Sequence, residues 1–93
     1  MAETSGPALR LDKWLWHARF VKTRGLGADQ AETGRVRLNG QPALKAHQTV
    51  RVGDVLTLSF GPWVRVVRVL GLGERRGPAP EAQSLYEDIT PLS

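Results

Sequence analysis

RLDKWLWHARFVKTR, residues 10–24, is the stretch on which the reading of this chain turns. With a helix starting near Leu11, the residues Leu11, Trp14, Leu15 and Ala18 fall at i, i+3, i+4 and i+7. They make one apolar stripe that faces a core. The opposite surface is basic: Arg10, Lys13 and His17 follow one edge, Arg19 lies nearer the other, and the helix end delivers Lys22, Thr23 and Arg24. A segment that anchors a core and presents cations suits a polyanion held against a small domain. A merely solvated basic helix face is the plainer reading of the same pattern.

The positive charge is unevenly placed. The 93 residues carry 13 Lys and Arg against 9 Asp and Glu, a formal +4. Residues 77–93 hold Glu81, Glu87 and Asp88 and no Lys or Arg, so residues 1–76 set 13 basic residues against 6 acidic ones, a net +7. Eight of the basic residues lie between Arg10 and Lys45. The basic body and the acidic end therefore read as separate parts. This length fits one small domain with one core and leaves no room for a large catalytic apparatus. The absence of cysteine excludes a disulfide framework, a thiolate zinc site and a cysteine nucleophile. No run approaches a membrane span, and MAETSGPA lacks the basic start and apolar stretch of a secretory signal. A cytoplasmic protein with no membrane partner is expected.

Residues 1–8 are small and polar, with Gly6-Pro7, and are expected to be disordered. The first helix is expected to end near Arg19, with Phe20 and Val21 tucked under the next element. Thr23 is the N-cap candidate for a second helix, Arg24 to Thr33, which Gly34 would close in the left-handed conformation. That helix is poor, because Gly25 and Gly27 each cost about 1 kcal/mol relative to alanine, and only Leu26, Ala28 and Ala31 offer apolar contact. From Arg35 the period becomes two, with Val36 and Leu38 on one side, Arg35 and Arg37 on the other, and a hairpin turn at Asn39-Gly40. A return strand covers Gln41 to Ala43, residues 45–48 are a loop, Val50 and Val52 alternate again, and Gly53-Asp54 turns the chain. VLTLSF, residues 55–60, is a strand with Leu56, Leu58 and Phe60 on one face. After Gly61-Pro62 another strand runs from Trp63 to Leu70, where Val66-Val67 breaks the alternation and predicts a bulge. Residues 71–80 read as a loop, and Pro80-Glu81 opens a short final helix ending near Asp88. The order predicts an α+β fold, two N-terminal helices packed on a small, mostly antiparallel sheet. Residues 9–72 form the domain, and 73–93 a loop and acidic C-terminal tail.

Arg10-Leu11-Asp12-Lys13, Lys22-Thr23-Arg24, Gly34-Arg35-Val36 with Asn39-Gly40, and Gly53-Asp54 recur here in an order that covers residues 9–60. Together they resemble the small RNA-binding domain named after the small-subunit ribosomal protein S-four. The fuller string RLDKWLWHARFVKTR, with LYED from Leu85, resembles the bacterial heat-shock protein 15 family. The resemblance implies an S-four-type, αL-like RNA-binding fold that catalyses no reaction. It implies binding to ribosomal RNA on the large ribosomal subunit, particularly a subunit stalled with a nascent chain on transfer RNA, which the protein would help return to translation. Carried over position by position, the RNA-facing surface falls on Arg10, Lys13, Arg19, Lys22, Thr23, Arg24, Arg35, Arg37 and Lys45. Two departures stand out. The second helix has Gly25, Gly27, Gln30 and Ala31 where the family carries larger or better helix formers, and family members commonly continue past the position of Ser93 with a long basic extension.

Arg10, Arg19 and Arg24 can each fork two hydrogen bonds to a phosphate, whereas Lys13 and Lys22 act as point charges. The start of the second helix adds free N–H groups beside Thr23 and Arg24. Such a surface reads the shape of an RNA backbone, with little sequence specificity. Asp12 is assigned an ion pair with Arg19 or a helix-start role in preference to catalysis. Trp14 is assigned to the core, Trp16 to a half-exposed place under the loop at Phe20, and Trp63 to a lid on the sheet. His17 and His47 have no neighbours that complete a metal set. Neither Gly25-Leu26-Gly27 nor Gly71-Leu72-Gly73 opens a dinucleotide turn, and no Ser-His-Asp or paired-carboxylate site can be built. A monomer with no cofactor and no small-molecule substrate is expected. Two other classes fit the same residues: an RNA-targeting module that acts with a separate RNA-modifying enzyme, and a basic module that docks an acidic protein.

Overall fold

The first helix, α1 (Leu11–His17), follows a two-residue strand, β1 (Leu9–Arg10), in the computed structural model, which describes residues 6–45 and 47–91. The disorder expected of residues 1–8 therefore falls outside the described residues except at 6–8, and the Trp63 side chain also lies outside them. β1 pairs antiparallel with β4 (Thr49–Val50), and the Leu11 N–H donates to the Gln48 carbonyl at 2.6 Å. No side chain caps α1, so the neighbouring backbone satisfies its first donor instead. The predicted stripe is the heart of the core: Leu11, Trp14 and Leu15 are fully buried and Ala18 nearly so. Burial of each large side chain contributes about 1.5–3 kcal/mol.

α1 ends earlier than expected. Ala18 caps it, and Arg19 takes φ 65°, the left-handed conformation that usually needs glycine. The Arg19 N–H donates to the Trp16 carbonyl and the Phe20 N–H to that of Leu15, the paired reverse bonds of a left-handed helix close. The second helix, α2 (Arg24–Glu32), closes by the same device at Gly34, φ 79°, with bonds from Gly34 to Ala31 and from Arg35 to Gln30. Its start is also as expected, the Thr23 hydroxyl accepting from the Leu26 N–H at 3.1 Å.

The two glycines of α2 have different roles. A Cβ on Gly27 would stand 3.0 Å from the Asp12 carbonyl oxygen and 3.3 Å from its Cα, so the missing side chain is what lets α2 press on the first turn of α1. A Cβ on Gly25 would meet nothing closer than the Thr23 hydroxyl at 3.8 Å. Leu26, expected to make apolar contact, is 43% exposed, and Ala31 is the fully buried side chain of this helix.

A five-stranded antiparallel sheet, ordered β3-β2-β5-β6-β7, completes the α+β fold. β2 (Val36–Leu38) and β3 (Gln41–Pro42) form the Asn39-Gly40 hairpin, both turn residues having positive φ. β5 (Val55–Phe60) and β6 (Trp63–Val69) pair in unbroken register from Val55↔Arg68 to Phe60↔Trp63. The bulge expected near Val66 is therefore absent. Strict alternation survives because Val64 and Val66 turn outward, and Arg65 takes the same face as the buried Val67 and Val69. The final helix is also shorter than expected: α3 is Ala79–Gln83, and Tyr86–Asp88 is a strand, β7, added to the edge of β6. The expectation of a helix reaching Asp88 rested on Pro80-Glu81, and pairing with β6 overrode it. Leu85, 8% exposed, docks on the core as expected.

Candidate nucleic-acid interface

Because the first turn of α2 packs on that of α1, with Gly27 against the Asp12 backbone, both helices begin side by side. Asp12, 5% exposed, sits at that junction. Its carboxylate accepts from Arg10 Nε at 3.2 Å and Nη2 at 3.1 Å, and Arg24 Nη2 lies 3.8 Å away. The partner expected for Asp12 was Arg19; Arg10 and Arg24 hold it instead, because Arg19 lies past the helix end. The two arginine side chains stay 50% and 45% exposed, so one buried carboxylate orients two guanidinium groups that still face solvent. Lys45 belongs to the same neighbourhood: its carbonyl accepts from Gln48, whose own carbonyl receives the Leu11 N–H. Lys22 and Thr23 are exposed beside Arg24, and Lys13 is half-buried on α1. At the α2 start the Leu26 N–H is taken by the Thr23 hydroxyl and the Gly27 N–H by the Thr23 carbonyl, while those of Arg24 and Gly25 have no partner among the described residues.

The remaining candidates lie elsewhere. Nine helical residues separate the α2 start from Arg35 and Arg37, about 13 Å along the axis. Both are exposed on the outer side of the hairpin, where Arg37 Nη1 approaches the Gly40 carbonyl at 3.4 Å. Arg19 faces the other end of the molecule, its Nε donating to the Gly77 carbonyl at 2.6 Å. His17, placed by sequence on the basic edge, is 1% exposed with Nδ1 3.2 Å from the Leu72 carbonyl. Trp14, besides filling the core, donates from Nε1 to the Gly71 carbonyl at 2.8 Å. Arg76 reaches back to the Val21 carbonyl at 3.4 Å. Trp14, His17 and Arg19 thus clasp the backbone of residues 71–77, and of the basic edge expected to be free His17 is buried while Arg19 stays exposed. Trp16 is half-buried as expected, but its ring neighbours His17, and it is Trp14 that meets Phe20, at 5.9 Å between centroids.

The acidic end does not stand apart from the basic body. Asp88 pairs with Arg65 at 2.9 Å, Glu87 with Arg68 at 3.1 Å and Glu81 with Arg75 at 2.8 Å. Thr90 donates from its hydroxyl and its N–H to Asp88, and with Arg65 it holds that carboxyl down to about 2, ionised at any physiological pH. Hydrogen bonds from Arg75 lower the Glu81 carboxyl in the same sense. Exposed pairs like these add little stability, but they cancel charge locally. Lys13, Lys22, Arg35, Arg37 and Lys45 have no acidic partner among the described residues, so the free positive charge lies beside the helix starts and on the first hairpin. What sequence reasoning missed was the organising role of Asp12 and the inward place of Arg65. The second was legible, since Arg65 shares the parity of Val67 and Val69 once no bulge is assumed. Among the described residues no three His, Cys, Asp or Glu side chains come together as a metal set, and no helix is long and apolar enough to cross a membrane.

Known proteins match this arrangement closely. The model of the S4 domain family matches residues 9–56. Heat shock protein 15 of Escherichia coli is 46% identical over 88 residues, covering 95% of this chain and 65% of the relative, and the heat shock protein 15 homolog of Aeromonas salmonicida is 49% identical, covering 94% and 64%. The chain thus spans about two thirds of the length of these relatives. The RQC P-site tRNA stabilizing factor of Bacillus subtilis is 43% identical over 78 residues, 84% of this chain and 88% of that protein. The solved trimeric structure of heat shock protein 15 from Vibrio cholerae superposes with a TM-score of 0.82 at 43% identity, covering 88% of this chain and 82% of that one. A trimeric relative gives the expected monomer no support. With more than half of its length matched by the family model and a relative matched over most of both lengths, the chain belongs to the S4 domain family, and within it is similar to heat shock protein 15.

Proposed function

We propose that this protein binds folded RNA of the large ribosomal subunit through the paired helix starts, without catalysing a reaction. The observation that carries the reading is the Asp12 junction, where a buried carboxylate fixes Arg10 and Arg24 beside the open end of α2. Two forked donors and two free backbone N–H groups fit consecutive phosphates of an RNA strand. Lys13, Lys22, Lys45, Arg35 and Arg37 extend the field along both flanks, while the arginines of β6 are neutralised by β7. Contacts of this kind read backbone shape, so the preferred target is a particular RNA fold and not a base sequence. One relative is named for stabilising a P-site tRNA, which supports a target in a subunit that still carries transfer RNA; a role in returning such stalled subunits to translation is the finer form of this proposal. A cytoplasmic location follows from that target.

Binding to purified large subunits, titrated with salt against small subunits and duplex DNA as competitors, tests this directly. A preference for large subunits with a salt slope equivalent to about five neutralised phosphates is expected. Arg24→Ala should weaken binding about tenfold at unchanged circular dichroism. Equal and weak binding to every polyanion would show the surface to be no more than a generic cationic face.

A further inference from the structure

A cavity of 230 Å³ opens at the far end of α1, away from the Asp12 junction, and is lined by Arg19, Phe20, Leu58, Phe60 and Arg65. A smaller one of 130 Å³ adjoins it across Arg19, Phe20 and Arg65, bounded further by Gln83 and Tyr86. Among the described residues the lining combines apolar rings with two guanidinium groups and contains no carboxylate. Its cationic members are held in place. Arg19 sits in the left-handed conformation with Nε fixed on the Gly77 carbonyl, which leaves its two terminal nitrogens without a partner among the described residues. Arg65 lies 5.2 Å over the Phe20 ring and 5.8 Å over that of Tyr86, anchored by Asp88. A non-glycine residue kept at positive φ and an arginine kept on the core face of a strand are both unfavourable choices for a purely structural rim.

We infer that this cavity is a nucleotide pocket, which receives one extruded base of the bound RNA against Phe20 and Phe60 and its phosphate on Arg19. The dimensions suit a single base, the aromatic and aliphatic lining suits its faces, and the free end of Arg19 suits the anion attached to it. Stacking of this kind tolerates any base. The pocket would give the domain a second hold on RNA, an unpaired nucleotide at one end and a folded backbone at the other. An apolar peptide side chain fits the rings but leaves the Arg19 guanidinium without a counterpart, so a nucleotide is the better occupant.

The inference rests on the RNA reading but is tested apart from it, with free adenosine and uridine 5′-monophosphates at millimolar concentration and backbone amide NMR as the readout. Shifts centred on Phe20, Leu58, Phe60 and Arg65 are expected with both nucleotides. Phe60→Leu, which keeps an apolar side chain and removes the ring, should weaken them about tenfold, and Arg19→Gly should do the same while favouring the local backbone. Inorganic phosphate alone should leave Leu58 and Phe60 unmoved. Nucleotide shifts confined to the α2 start, or equal shifts from phosphate, would overturn the pocket. If large subunits bind and mononucleotides do not enter, the pocket fails alone. If mononucleotides enter and subunits do not bind, the ribosomal reading fails and the pocket stands.

Discussion

The two helices close by the same hydrogen bonds, yet one does so with Arg19 and the other with Gly34. In α2 the glycine removes the strain, and a Cβ there would stand 3.7 Å from Leu44, so only the backbone conformation demands it. In α1 the strain is retained and offset by the bond from Arg19 to Gly77. The same geometry thus serves as a simple stop in one helix and as a device for aiming a cation in the other. The helices differ in burial as well: α1 contributes four fully buried large side chains, Leu11, Trp14, Leu15 and His17, whereas α2 rests on Ala31 and the glycine contact at Gly27. One helix is held by its core, the other by its neighbour.

The difference can be broken at its strongest point first. Trp14→Ala should cost about 3–5 kcal/mol in urea denaturation, since it opens the core and leaves the Gly71 carbonyl without its donor. A variant as stable as the parent would show that α1 is not the anchor. Gly34→Ala should cost about 1–2 kcal/mol, the left-handed penalty with no clash added; a neutral result would mean that the α2 end can rearrange. The finest comparison is at Arg19. Arg19→Gly and Arg19→Ala both lose the Gly77 bond, but only the first relieves the backbone, so glycine should be the more stable of the two by roughly 1 kcal/mol. Equal melting temperatures would show that the strain is negligible.

Local patterns were enough for much of this fold. The stripe from Leu11 to Ala18, the Thr23 cap, the Gly34 close, the Asn39-Gly40 turn and the strand over residues 55–60 each lie within a window that carries its own physics. The resemblance rests on the same windows and named nine residues, of which Arg10 and Arg24 come together on Asp12 while Arg19, Arg35 and Arg37 lie elsewhere. What was not legible depends on residues far away in the chain. His17 and Arg19 continue the basic edge of α1 in any local reading, and only the return of residues 71–77 buries His17 and ties Arg19 Nε to a carbonyl. Pro80-Glu81 does open a helix, but the edge of β6 offers Tyr86–Asp88 a better set of hydrogen bonds. The acidic residues of the last segment looked like a tail because their arginine partners are 6 to 23 residues distant.

Trp14, His17 and Arg19 all address main-chain carbonyls of residues 71–77. A carbonyl is common to every amino acid, so this grip is largely blind to which side chains the loop carries and sensitive to how many residues it contains. Substitutions there should be tolerated far better than a one-residue insertion or deletion. Order of synthesis enters as well. The family match ends at residue 56, but Val67, Val69 and Leu85 belong to the same core. A chain emerging from its N-terminus therefore carries α1 with an orphaned indole donor and an open core until residue 71 and the last strand arrive. The part of the domain that the family model matches is made first, and its core is completed only when the final quarter folds over it.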